Sequence, residues 1–313
     1  MLISVIIPTL NRPAYLIDAI RSILSGIYQH FEILIVDQTP DSSTRDALAG
    51  YLADRRLRYI SASSPGASAA RNLGVISSSG EVIVFTDDDI VARPNWLELI
   101  VRELSADSDL QFISGSLTAP AYNRALGFVP EFQPDPMVMA RRLPLVVSNA
   151  NISMRRRLFD QIGGYDEFCG PGGLLKSSDD GDITLRVVRS GAKWKVCPEI
   201  EVVHLHGFRP HAAADRLLDD YAYGNGGIYG RALRRGDLHS GGWFLLRELS
   251  WAAKRLLPGQ WGSISDKRAL LRLRGFWQGF CLPPKAGFID TRQSPPEILQ
   301  ERLVGEDASN CRL

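Results

Sequence analysis

The chain has 313 residues, 45% of them hydrophobic and 23% charged, the make-up of an ordinary globular protein with one large domain and an appendage, or two domains. A formal net charge of +1 excludes a protein built to bind polyanions, so no nucleic-acid partner is expected. The four cysteines, Cys169, Cys197, Cys281 and Cys311, are too widely spread for a zinc motif or a disulfide framework, the apolar run in MLISVIIPTLNRP is too short for a signal peptide, and no stretch approaches the roughly 18 apolar residues of a membrane span, so a cytoplasmic protein with reduced thiols is expected.

Strand and helix signals alternate through the first hundred residues. Ile3 to Pro8 (ISVIIP) is a β-branched run closed by the loop TLNRP, and Tyr15 to Leu24 has apolar residues at helical spacing. EILIVD is a second strand whose last residue is an acid, Asp37. A capping signal and a helix follow in TPDSSTRDALAGYL, then a strand in LRYI and a small-residue helix in GASAARNLGVI. EVIVFT is a fourth strand, and it runs into three consecutive carboxylates, Asp87, Asp88 and Asp89. Near-continuous apolar strands separated by helices predict a mostly parallel α/β sheet covered on both faces.

Ligands of such sheets bind beyond the carboxyl ends of the strands. The loop after strand one, Asp37 after strand two and the triplet after strand four therefore open onto one crevice. Three adjacent carboxylates in a solvated turn are unremarkable, but gathered at this edge they suit a ligand. Neither G-x-G-x-x-G nor G-x-x-x-x-G-K-[ST] is present. A nucleotide could still bind: Asp37 could accept hydrogen bonds from its base or ribose, Arg71 could neutralise phosphate or contact the base, and the triplet could hold a divalent cation, Mn2+ or Mg2+, that offsets the repulsion.

The motifs SVIIPTLNRPAYLIDAIRSIL, EILIVDQTPDSST, GASAARNLGV, GEVIVFTDDDIVARPNWL, SNANISMRRRLFDQIGGYDE and SSDDGDITLRVVRSG, in this order, resemble the family-2 glycosyltransferases of GT-A fold, over about Ser4 to Arg209. The resemblance implies a Rossmann-like, mostly parallel sheet flanked by helices, in a catalytic domain over 1–210 with a nucleotide-binding half to about 115 and an acceptor-binding half beyond it. It places Pro8, Thr9 and Asn11 beside the nucleobase, and Asp37 on the base or ribose, although the family's VDDGSTD is VDQTPDS here. Asp87 and Asp89 match the outer acids of a D-x-D motif, with Asp89 on the metal, Asp87 on the ribose or a bridging water, and Asp88 as the alternative if the match shifts by one residue.

In SSDDGDITLRVVRSG, Ser177 is a plausible cap, and the acids Asp179, Asp180 and Asp182 suit the first turn of a helix for electrostatic reasons alone. The resemblance to the family's E-D-x-D-L implies more: Asp180 becomes the general base that takes the proton of an acceptor hydroxyl, and Asp179 stands where Glu is usual. His204 and His206 in EVVHLHGFRP lie one alternating residue apart, on the same face of a strand. A histidine at this point of GT-A enzymes often completes the metal site, and the HGFR context favours His206, then His204. Contacts to donor or acceptor sugar are expected from Asn149, Gly164, Tyr165 and Asp166, the run Gly170 to Gly173 reads as a flexible loop or a lid, and Leu117 to Pro144 matches nothing.

After Pro210 the character changes. AAADRLLDDYAYGNGGIYGRALRRGD reads as a helix with a glycine-rich break, and two further helices carry Trp243, Phe244 and Trp251 and then SDKRALLRLRGFWQGF. The region 211–282 is expected to be a helical appendage packed on the catalytic domain, with peripheral contact to the inner face of an anionic membrane through 243–280 as the alternative, and 283–313 a flexible tail. The expected activity is metal-dependent, inverting transfer of one sugar from a UDP-, dTDP- or GDP-linked donor to a hydroxyl of a glycan or lipid-linked acceptor. The rivals are a metal-dependent nucleotidyltransferase, whose usual Gly-rich, Lys-bearing loop is missing, and a non-catalytic nucleotide-sugar or membrane-binding protein.

Overall fold

A computed structural model describes residues 1–63, 66–133, 147–255 and 264–283. Among these residues ten strands run in chain order: β1 (Ile3–Thr9), β2 (Phe31–Asp37), β3 (Leu57–Ser61), β4 (Val82–Phe85), β5 (Val91–Ala92), β6 (Leu110–Thr118), β7 (Gly127–Phe128), β8 (Ile152–Arg155), β9 (Lys193–Val203) and β10 (Arg209–Pro210). Eight of them form one sheet in the order β3-β2-β1-β4-β8-β6-β9-β5. The first four are mutually parallel, as the strand–helix alternation predicts, whereas β8 runs antiparallel to β4 and β6.

Helices α1 (Pro13–Leu24), α2 (Ser43–Ala47), α3 (Ala67–Ile76), α4 (Trp96–Ala106), α5 (Arg156–Ile162) and α6 (Asp179–Arg189) connect or follow the strands. Alternate residues of the buried strands point to opposite faces. Ile3, Val5 and Ile7 of β1 therefore join Leu16 and Ile20 of α1 and Trp96 and Ile100 of α4 on one side. Ile6, Leu34 and Phe85 join Ala70 of α3, Phe159 of α5 and Ile183 of α6 on the other. The expected fold class, an α/β sheet covered on both faces, is what the chain adopts.

Three further helices follow: α7 (His211–Arg234), α8 (Leu238–Arg255) and α9 (Ile264–Cys281). The glycine-rich break expected in the first of them is absent, for α7 runs unbroken through Gly224, Gly226, Gly227 and Gly230. These glycines cost helix propensity, but they let α9 approach closely. A Cβ on Gly226 would collide with the Arg272 carbonyl, one on Gly230 with the Phe276 carbonyl, and one on Gly275 with the Tyr223 carbonyl. A third apolar cluster, including Tyr229, Phe244 and Phe276, joins these helices to Cys169 and Leu175 of the glycine-rich loop. Gly226→Ala is therefore expected to destabilise the protein by about 1–3 kcal/mol through overpacking. A lowered midpoint of thermal unfolding would show it, and an unchanged midpoint would mean that α7 and α9 do not approach this closely.

None of the described helices is long and apolar enough to cross a membrane. The tail expected after residue 283 and residues 134–144 of the segment 117–144 lie outside the described residues.

Candidate active site

The carboxyl ends of β1, β2 and β4 lie side by side, because Thr9 pairs with Asp37 and Ile6 with Phe85 in a parallel register. Beyond β4 the three acids take separate roles. Asp88 and Asp89 are each 4% exposed, whereas the Asp87 side chain is half-buried. Thr9 Oγ1 donates to Asp88 Oδ2 at 2.7 Å, and Arg12 Nη1 reaches Asp88 Oδ1 at 3.2 Å and Asp89 Oδ2 at 3.3 Å. Burial pushes the Asp88 carboxyl up to about 6 despite Thr9 and Arg12. Burial acts the same way on Asp89, but His204, Arg12 and Arg209 outweigh it and hold that carboxyl below its usual range.

The two histidines do not share a strand face. β9 ends at Val203, and residues 204–206 turn, with the His204 amide bonded to Thr118 O and the His206 amide to Asp89 O. The preference for His206 is reversed by this turn. His206 Nε2 lies 2.9 Å from Asp18, and its ring stacks on Tyr15 at 4.1 Å. It is His204 that faces the triplet, Nε2 lying 3.3 Å from Asp89 Oδ2. His204 Nδ1 sits 2.9 Å from Pro130 O. A carbonyl can only accept, so Nδ1 carries a proton, and in the neutral ring Nε2 turns a lone pair toward the carboxylate. Two acceptors face to face need a proton or a cation between them. Burial alone would lower the His204 pKa, but Asp89 raises it. Adjacent ligands of an octahedral ion bound at 2.0–2.1 Å stand about 3 Å apart. The Asp89–His204 pair, its imidazole oriented by a backbone carbonyl, therefore suits a divalent cation.

Several expected nucleotide or sugar contacts lie behind the crevice. Asp37 is fully buried, accepts from Thr39 N–H at 2.9 Å and Tyr59 OH at 2.7 Å, and shapes the turn after β2. Arg71 is 4% exposed and donates to Asp87 at 2.7 Å and Asp179 at 2.6 Å. Those ion pairs engage both terminal nitrogens and tie the triplet to α6. Asn149 donates to Asp179 and accepts from Tyr165 OH, and Tyr165 is fully buried. Gly164 adopts a left-handed φ of 77°, where a Cβ would press on Asn72 Oδ1. Asp166 is buried against Arg231 and Arg235. The polar contacts of these four residues run to neighbouring side chains of the site's supporting layer. Of the first-strand loop, Thr9 is spent on Asp88, Pro8 is half-buried, and Asn11 is exposed in a left-handed turn at φ 57°.

The first turn of α6 carries Asp179, Asp180 and Asp182. Ser177 does not cap it. Ser178 is the N-cap residue, at φ 66° with no side-chain cap, and Ser177 Oγ donates instead to Asp220 O at 2.8 Å. Asp179 is neutralised by Arg71 at 2.6 Å, and Asp182 by Arg186 at 2.7 Å and Arg235 at 2.6 Å. Asp180, half-buried, has no ion-pair partner among the described residues and accepts only from Gly181 N–H at 2.7 Å. Burial first, and then the charge of Asp179, push its carboxyl up to about 7.

Sequence reasoning missed three residues here. Arg12 bridges the acids, Arg209 Nη2 stands 3.9 Å from Asp89, and Tyr221, 40% exposed on α7, feels Asp180 strongly enough to join burial in raising its phenol to about 12. Arg12 sits in the quoted loop TLNRP, but Tyr221 stands 41 positions beyond Asp180, and nothing local announces it. The glycine-rich loop, expected as a flexible loop or a lid, is hydrogen-bonded to the start of α3 through Pro171 O and Cys169 O.

Three comparisons with known proteins bear on this arrangement. Residues 4–163 match the family described as Glycosyl transferase family 2. The putative colanic acid biosynthesis glycosyl transferase WcaA of Escherichia coli is 32% identical over 229 residues, covering 70% of this chain and 78% of that protein. An uncharacterized glycosyltransferase of Rickettsia conorii is 40% identical over 100 residues, 32% of this chain but only 17% of that protein's length. Among solved structures, a mannosyltransferase of Pyrobaculum calidifontis in complex with GDP-Man and Mn2+ superposes with a TM-score of 0.58 at 14% identity, covering 89% of this chain and 87% of that one. S. aureus TarS 1–349 gives 0.55 at 17% identity, covering 73% and 64%.

Proposed function

The chain belongs to glycosyl transferase family 2, and from that premise we propose that it transfers one sugar from a nucleoside-diphosphate sugar to an acceptor hydroxyl, with Asp180 as general base. The observation that carries the reading is the division of labour in the first turn of α6. Asp179 and Asp182 are locked to arginines, and the remaining acid, Asp180, is unpaired and held near 7. A sugar hydroxyl is a poor nucleophile at neutral pH, and a carboxylate poised near the working pH takes its proton as the new bond to the anomeric carbon forms. The displaced nucleoside diphosphate leaves from the opposite side, so a single displacement inverts that centre. Asp89 and His204 would hold a divalent cation there, and a bound cation supplies charge neutralisation for the diphosphate. Arg12 and Arg209, beside Asp89, add positive charge at the same place. Tyr221, its phenol kept protonated next to Asp180, offers a hydroxyl and an aromatic face to the acceptor.

The test is incubation of the full chain with UDP-N-acetylglucosamine, UDP-glucose, dTDP-glucose and GDP-mannose, with and without Mn2+, following release of nucleoside diphosphate. Cation-dependent release from one donor is expected. No release from any donor, or release of pyrophosphate from a nucleoside triphosphate and a sugar phosphate, would overturn the reading in favour of a binding protein or a nucleotidyltransferase.

Contact with a membrane surface is part of the proposal. Leu246 and Leu249 of α8 are 70% and 65% exposed, and Leu270 and Trp277 of α9 are 56% and 66% exposed. Vesicles containing phosphatidylglycerol are expected to sediment the protein at low salt and to release it at high salt. Absence of sedimentation at every ionic strength would leave these helices as a packed appendage only.

A further inference from the structure

Among the described residues, the ligand atoms of Asp166, Cys169 and Asp182 lie within 4.8 Å of one another, and all three side chains are buried. This donor set resembles a metal centre, but its charges are already balanced by guanidinium groups. Arg186 Nε and Nη2 reach Asp182 Oδ2 at 3.0 and 2.7 Å, and Arg235 Nη1 reaches Asp182 Oδ1 at 2.6 Å. The other arm of Arg235 bonds Asp166, whose same oxygen also accepts from Arg231 Nε at 2.6 Å. Arg231 in turn donates to the carbonyls of Leu282 and Pro283, at the end of α9.

Arg235 thus bridges both buried carboxylates, and it follows directly on α7, 53 residues from Asp182 in the chain. Arg186 holds Asp182 and Arg231 holds Asp166, and Arg235 adds a charge that both acids share, offsetting the repulsion between carboxylates a few ångströms apart in a dry site. The contacts from α7 also lie on both sides of Asp180. On one side Ser178 Oγ meets Asn225 Oδ1 at 3.2 Å, Ser177 Oγ donates to Asp220 O, and Gly224 leaves room for Ser177. On the other stand Arg235 on Asp182 and Ile228 against Gly181. The N-terminus of α6 lacks a side-chain cap of its own, and these contacts join those of Arg71 and Asn149 with Asp179 in holding its first turn.

We propose that Arg235, with α7, is a positioning device for the catalytic turn: it clamps Asp182 to Asp166 and so holds the Asp180 carboxylate where the acceptor hydroxyl must lie. This rests on the reading of Asp180 as the base. A displacement of about 1 Å at a catalytic group can cost roughly 100-fold in rate, so a clamp of this kind acts on turnover and not on donor affinity.

The experiment uses the full chain and the best-hydrolysed donor of the nucleotide-sugar panel, with Mn2+, at a temperature well below the melting midpoint of every variant by circular dichroism. Arg235→Met is expected to lower kcat by about 10- to 100-fold while KM for the donor stays within about twofold, and Arg235→Lys, which keeps a charge between the two acids, is expected to recover most of kcat. A folded Arg235→Met protein with normal kcat would make the network purely structural and overturn the proposal. So would equal losses in the Met and Lys variants, or a loss confined to KM. If Arg235→Met does not fold, Arg235→Gln, which keeps two donors without the charge, carries the same comparison. Asp180→Asn in the same assay separates the two ideas: normal hydrolysis in Asp180→Asn sinks the base assignment and the clamp with it, whereas impaired Asp180→Asn beside normal Arg235→Met sinks the clamp alone.

Discussion

Asp180→Asn is expected to lower turnover by roughly 10²–10⁴-fold, the usual worth of a positioned general base, while donor binding survives. The amide keeps the size and the hydrogen bond to Gly181 N–H but cannot accept a proton. Donor binding should persist because the diphosphate would be met by Arg12, Arg209 and the cation that Asp89 and His204 would hold, none of which Asp180 touches. The pH dependence gives a second reading. A base must be unprotonated, and Asp180 sits near 7, so wild-type turnover should rise through that pH and level off above it. Stability has the opposite sign. The folded protein holds the Asp180 proton up to about 7, whereas the unfolded chain releases it near 3.8. Between those values the folded state binds more protons, so Asp180 makes stability fall as pH rises. The Asn variant should therefore be at least as stable as wild type at pH 8, and its lost activity could not be blamed on unfolding. Near-normal transfer by Asp180→Asn would place the base elsewhere, with Asp179 the first residue to test. Asp182→Asn should cost less than Asp180→Asn, at most the roughly 10- to 100-fold of a loosened clamp, because Asp182 is engaged with Arg186 and Arg235 and positions the turn without taking the proton.

Asp89→Ala is expected to abolish the gain that a divalent cation brings to nucleoside-diphosphate binding. Calorimetric titration with UDP, dTDP and GDP, with and without Mn2+, measures that gain directly and needs no acceptor. His204→Ala should act in the same direction, weakening the cation by the 10- to 100-fold typical of disturbing a metal site. Asp88→Ala should do less, since Thr9 and Arg12 already occupy that carboxylate, and His206→Ala should do nothing, since its ring is held by Asp18 and Tyr15. Wild-type binding that is equally tight without metal, or a cation effect that outlives Asp89→Ala, would remove the triplet from the metal site.

What could be read along the chain was whatever depends on neighbours in sequence. Apolar runs such as ISVIIP and EILIVD bury both faces of a strand wherever they sit, and the acids after EVIVFT are carried to the sheet edge by the strand before them. That is enough to place the first four strands and the crevice at their carboxyl ends, and the order of the motifs is enough to point to the family. What the chain left open depends on contacts between distant residues. GNGGIYG reads as a break because glycine disfavours helix, yet α9 packs so closely on α7 that only glycine fits. His204 and His206 looked equivalent under strand alternation, and the end of β9 at Val203 sent one to Asp89 and the other to Asp18. Gly164, Tyr165 and Asp166 keep the family's pattern but spend their polar atoms behind the site, where no spacing rule reaches. The three acids of α6 are alike by propensity and differ only in which arginine meets them: Arg71 arrives from 108 residues away and Arg235 from 53. Charge neutralisation is a property of the assembled fold, and it alone leaves Asp180 unpaired.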